Sequence, residues 1–128
     1  MRIAALISRI LLGLVFVVFG LNGIHPFIPM GQMPTGLAGQ FVGALIQSHY
    51  TLIVAILQVM GGALLLANRY VTLGLVILGP IVVNIFLFHA LMEHTGLPLA
   101  IVVVILWLIL AYHARRNLSG IFAPGIEA

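Results

Sequence analysis

The sequence predicts an all-α fold, an integral membrane four-helix bundle, and three observations carry that prediction. Side chains are 63% hydrophobic and only 5% charged, whereas soluble domains average roughly 25% charged. The apolar residues come in four runs, each close to the about 20 residues that a helix needs to cross a hydrocarbon core. None of the runs shows strict alternation, and backbone amides in lipid must be satisfied within a helix or a closed barrel, so helices are favoured. A chain of 128 residues then forms one small membrane domain with no separate catalytic domain beside it.

Span one is read over Ile3 to Leu21, with Arg2 and Arg9 at its start and Asn22-Gly23, Pro26, Pro29 and Pro34 after it. A basic start before an apolar run also opens a signal peptide, but no small-x-small cleavage site follows Leu21, so the span is expected to be retained. Within the loop Asn22 to His49, the stretch Thr35 to Ser48 has helical periodicity. Leu37, Ala38, Phe41, Val42, Ala44, Leu45 and Ile46 fall on one side, and Gly39, Gln40, Gly43 and Gln47 on the other. This amphipathic outer interfacial helix is expected to cap the bundle's mouth, or to pack into the bundle or a partner. Its polar face has no lysine or arginine, unlike helices that bind anionic lipid by charge.

Span two covers Tyr50 to Ala67 and stops at Asn68-Arg69-Tyr70. Span three covers Val71 to Met92 and stops at Glu93-His94-Thr95-Gly96. Pro80 within it cannot donate to the Val76 carbonyl, which predicts a kink. Span four covers Leu97 to His113, followed by Arg115-Arg116-Asn117. The bundle domain is thus residues 1–116, and residues 117–128, with Gly120, Pro124 and Gly125, form a short tail expected to be loosely ordered. The Leu-Gly-Leu-Val repeated at Leu12 and Leu73 is what chance yields in so Leu- and Val-rich a chain.

The five basic residues are all arginines: Arg2, Arg9, Arg69, Arg115 and Arg116. All stand on one side of the four-span topology. The positive-inside rule then places both termini and the central turn in the cytoplasm of a bacterial inner membrane, with Asn22 to His49 and Glu93 to Gly96 outside. A net charge of +3 distributed in this way is a topology signal, and no nucleic-acid partner is expected. Absence of cysteine removes disulfides, thiolate metal sites and thiol redox chemistry.

Polar residues inside spans are expensive in lipid and are candidates for function. Gln58 lies about 12 Å along its helix from Tyr50, and Asn84 about 14 Å from Glu93, so the two reach similar depth on adjacent helices. Their plainer reading is an interhelical hydrogen bond, a common joint between membrane helices. The functional reading is a polar pocket for a quinone or other lipid-like ligand in the groove of spans two and three, lined by Gln58, Asn84 and His89. Trp107 is deep enough in span four to face a ligand as well. On the outer side His25, His49, His89, Glu93 and His94 offer imidazole and carboxylate, which suit zinc, copper or iron. Their spacing is not a recognised metal motif, so ordinary interfacial hydrogen bonds are favoured. Arg9 is expected to snorkel to the basic surface. The only acids are Glu93 and Glu127, and there is no phosphate-binding glycine loop or nucleophile elbow, which argues against a hydrolase or a nucleotide-using enzyme.

Five groups of residues carry a family resemblance over nearly the whole chain. They are Arg9-Ile-Leu-Leu-Gly-Leu-Val-Phe with Phe19-Gly20-Leu21-Asn22-Gly23, the outer Pro29-Met30 to Gly36 segment, Ala38-Gly39, Gly61-Gly62 through Asn68-Arg69-Tyr70, and Pro80 with Asn84 to His89. In these the sequence resembles the DoxX-like family of small bacterial four-helix membrane proteins. The resemblance implies a redox association, because the family takes its name from a subunit of a thiosulfate:quinone oxidoreductase. It also implies a departure: the family pattern carries a glutamate where this chain has Gln58, so a buried acid able to handle protons is neutral here.

The expectation is an auxiliary, redox-associated membrane subunit that binds quinone or lipid, or joins other membrane subunits or copies of itself. Catalytic activity of its own is not expected. The alternatives are a quinone-linked oxidoreductase with a cofactor at the outer histidines and Glu93, and a small-solute transporter.

Overall fold

A computed structural model describes residues 2–29 and 31–126; Met30 of the outer segment and the acid Glu127 lie outside the described residues. Four helices are long and apolar enough to cross a membrane. They are α1 (Arg2–Ile24), α3 (Tyr50–Ala67), α4 (Val71–Leu91) and α5 (Leu97–His113), the last preceded by a 3-10 turn over His94–Gly96. The outer loop contains α2 (Gly36–Gln47), and α6 (Arg115–Leu118) with a 3-10 turn (Ser119–Phe122) follows the bundle. No strand occurs among the described residues. Every span falls within three residues of its predicted limits, because apolar runs between polar punctuation leave the backbone few other ways to satisfy its amides in lipid.

The helices pack in the ring order α1, α3, α4, α5, with α5 returning to α1. Leu12, Leu65, Leu75 and Leu78 are fully buried along the axis, with Phe16, Val82, Val103 and Leu110 extending the core toward both ends. Long apolar side chains such as Leu14, Ile53, Val83 and Leu108 point outward. A hydrocarbon surface on every flank of the bundle is what lipid requires and water does not tolerate.

The glycine pair of α3 decides how closely its neighbours approach. A Cβ on Gly62 would lie 2.9 Å from the Gly13 carbonyl oxygen and 3.0 Å from Val17 N, so α1 and α3 touch backbone to backbone. Gly61 faces the other neighbour: a Cβ on Gly74 would lie 3.1 Å from its carbonyl oxygen. Adjacent small residues thus let one helix contact two others at short range, the usual source of affinity between helices in a membrane.

At the basic end, Asn68 closes α3 in a left-handed conformation, φ 54°, with its N–H on Leu65 O at 3.2 Å. Arg9 corrects the expectation of snorkelling. Its guanidinium turns inward and donates to Leu65 O and, at 3.3 Å, to Leu66 O. The last carbonyls of a helix have no intrahelical donor and carry partial negative charge, so a cation there both satisfies and neutralises them. The tail also departs from expectation. Residues through Phe122 form helical turns, and Leu118 packs against the core, which orders a segment whose composition alone suggested looseness.

At the opposite end α2 lies where the periodicity put it, with only part of its apolar side covered. Ala38 is buried and Gly39, Val42, Gly43 and Leu45 are half-buried, whereas Leu37, Phe41 and Ile46 are exposed. Gly39 sits against the Pro34 carbonyl, where a Cβ would have no space. Phe41 then reaches sideways to stack on Phe88 of α4 at 5.7 Å.

Candidate functional site

Between the four spans, toward the end that carries α2, lies a cavity of about 230 Å³. Phe16, Val15 and Phe19 of α1 form one wall, and Leu99, Ala100 and Val103 of α5 another. From α3 and α4 come the two polar groups, Gln58 and His89, with Ile85 between them. Phe19 and Leu99 are solvent-exposed by their outer surfaces, so the cavity opens on the α1 and α5 side, toward the bilayer.

His89 is held in place. Its Nδ1 lies 3.0 Å from the Glu93 carbonyl oxygen, and a peptide carbonyl only accepts, so Nδ1 is the donor, which leaves Nε2 as the acceptor of the uncharged tautomer. The ring sits against Gly96, where an added Cβ would clash with its Cε1, and edge-on to Phe88 with centroids 5.0 Å apart. Glycine at the 3-10 turn is therefore the condition for this ring position. Gln58 is half-buried, and no described protein group bonds its amide, whose atoms open onto the cavity. An amide so placed, deep in a membrane-spanning helix, has two donors and an acceptor to offer a ligand.

The other candidates fall elsewhere. Asn84 does not meet Gln58: it is exposed on the outer face of α4 and donates from Nδ2 to Pro80 O at 2.8 Å. Proline and asparagine four residues apart share one helical face, and Pro80 is exposed, so the groove of spans two and three is replaced by a cavity enclosed by all four spans. Trp107 is a structural anchor, donating from Nε1 to Leu75 O at 3.1 Å with its ring against Gly79. The outer histidines do not converge either. His25, His49 and His94 are exposed at separate points, and no three histidine, aspartate or glutamate side chains gather to hold a metal among the described residues. Local turns claim these residues: His49 caps α3 at φ 63°, and Glu93 bonds Thr95.

The Glu93 carboxylate accepts from Thr95 Oγ1 at 2.7 Å and from Thr95 N at 3.4 Å. These bonds, with the nearby imidazoles of His89 and His94 contributing less, hold its pKa below the ordinary carboxylate value. The acid thus serves the turn that carries Gly96, one step removed from the cavity.

Two polar residues with large structural roles were read in the sequence only as punctuation or as a surface charge. Asn22, 7% exposed, accepts through Oδ1 from Phe27 N at 2.9 Å and Ile28 N at 2.8 Å. Asparagine before a proline-rich loop is the available signal, since its side chain can imitate a backbone turn. Arg9 is the second, and its depth within an apolar helix was its signal. No family model, curated protein or solved structure matches this chain.

Proposed function

We propose that this chain is an auxiliary, redox-associated membrane subunit that holds a quinone headgroup in the cavity of Gln58 and His89. One observation carries the reading: an amide with no described protein partner and a locked imidazole share a single apolar cavity with an opening toward lipid. At about 230 Å³ the space falls below the roughly 300–1,000 Å³ of pockets for larger ligands, and suits one ring rather than a macrocycle. The Gln58 amide donates to a carbonyl of the quinone, and His89 Nε2 accepts from a hydroxyl once the ring is reduced to the quinol. Phe16 and Phe19 supply aromatic wall, and an isoprenoid tail leaves between α1 and α5. A quinone supplies two-electron, two-proton chemistry when bound; the chain's part is to bind and orient it.

The auxiliary character rests on the proton inventory. Of the cavity's lining, His89 is the one side chain able to exchange a proton, and Gln58 stands where the DoxX-like resemblance would have an acid. One exchangeable site favours holding a quinone over cycling it. Asn84 supports the subunit character: beyond its bond to Pro80 O, its amide keeps an acceptor and a second donor on the outer face at membrane depth, which a neighbouring helix would satisfy. The arginines at one end favour a cytoplasmic position for both termini, in a bacterial inner membrane.

The test is quinone content and response. Protein purified in mild detergent is extracted and assayed for quinone, then stripped and titrated with a short-chain quinone and with its quinol while unfolding is monitored. Wild type should retain quinone and gain stability with it. Gln58→Leu and His89→Ala should keep the helical content and lose both effects. An equal thermal shift in wild type and Gln58→Leu, or none in either, would overturn the assignment.

A further inference from the structure

A second and larger cavity, about 640 Å³, opens at the basic end of the bundle and takes no part in the site just described. Its polar lining is Arg2, Arg9, Asn68, Thr72, His113 and Asn117, contributed by α1, the α3 terminus, α4, α5 and α6. Ile3, Leu6 and Leu110 add apolar wall. The charge is unbalanced. Two guanidiniums, which stay protonated at any physiological pH, face this space, and the only acid among the described residues, Glu93, stands at the opposite end of α4. Arg9 is half-buried, and its two hydrogen bonds both run from one nitrogen, Nη1. Its remaining N–H groups have no acceptor among the described residues, and neither has Arg2. Burial of a cation without a counter-charge is costly, and every neutral polar group around it can donate a hydrogen bond.

We propose that this cavity binds a phosphate-bearing anion between Arg2 and Arg9. Guanidinium groups match phosphate oxygens through paired N–H donors, the Thr72 hydroxyl and the Asn68 and Asn117 amides are further donors, and the volume lies within the range of built ligand sites. The mixed wall fits a phospholipid headgroup whose first acyl carbons run along Ile3 and Leu6; free phosphate is the other source of the same chemistry.

The experiment compares stripped protein in phosphatidylcholine nanodiscs, in nanodiscs also containing phosphatidylglycerol, and in phosphatidylcholine with inorganic phosphate at constant ionic strength. Unfolding temperature is read in each, and native mass spectrometry counts retained phospholipid on the wild type. Stabilisation by phosphatidylglycerol alone assigns a lipid headgroup, and stabilisation by both assigns a phosphate site. Arg2→Gln should weaken half-saturation by roughly tenfold, the value of one charge-assisted hydrogen bond. Arg69→Gln removes the same charge from the same end outside the cavity and should leave it unchanged. Arg2 makes no hydrogen bond among the described residues, so its variant tests binding without touching the Arg9 contact to α3. Equal losses in the two variants would reduce the effect to surface charge and overturn the site. Absence of any phosphate or phosphatidylglycerol response, with no retained phospholipid on the wild type, would overturn it outright.

Discussion

At the scale of the residue, polar side chains in this chain are sorted by what their nearest backbone offers. Arg9 and Trp107 were candidates for solvent and ligand, and each instead donates to a carbonyl of a neighbouring helix. Asn84 donates within its own helix. Gln58 and His89 are left to face a cavity. The 3-10 turn that seats His89 depends on Glu93, and this gives a pH prediction. The Glu93 pKa is lowered by its bonds to Thr95, so the folded form holds its proton less tightly than the unfolded chain does. Its stabilising contribution is complete above the ordinary carboxylate value and is lost as pH falls through the lower folded value. Thr95→Val should therefore raise the Glu93 pKa toward the ordinary range, as followed by carboxyl NMR titration. A titration curve unchanged by the substitution would remove Thr95 as the cause.

At the scale of the element, the contacts between helices are made by glycine where backbones meet and by side chains elsewhere. Gly62→Ala sets a Cβ 2.9 Å from Gly13 O and 3.0 Å from Val17 N, and neither backbone atom can move without shifting α1. The expected cost is about 1–3 kcal/mol, the range for overpacked cores. Gly43→Ala in α2 meets no described atom within 4 Å and should stabilise that helix by up to about 1 kcal/mol, the difference in helix propensity. Denaturation in matched detergent distinguishes them, and equal effects from both would refute the close-approach account. Element limits were legible because length, hydropathy and flanking punctuation are local properties. The exposure of Leu37, Phe41 and Ile46 on α2 was not, because periodicity gives the apolar side of a helix but not how much of it a neighbour covers.

At the scale of the whole molecule, two polar interiors lie at opposite ends of an apolar cylinder, and one amide lies outside it. If Asn84 joins a partner helix, Asn84→Leu should lower co-purification or self-association, read by light scattering in detergent, while quinone retention stays unchanged because the residue lies outside the cavity. Lost retention with unaltered assembly would reverse that assignment. The sequence by itself determined that the chain forms four apolar helices with a short helix in the outer loop, since the cost of an unpaired amide in lipid admits little else. It also marked Gln58, Asn84 and His89 as worth attention by their polarity alone. Only the tertiary structure decided which of them share a space. Depth along a helix follows from counting residues, but azimuth depends on how glycine contacts rotate each helix against its neighbours, and that is a property of the packed bundle.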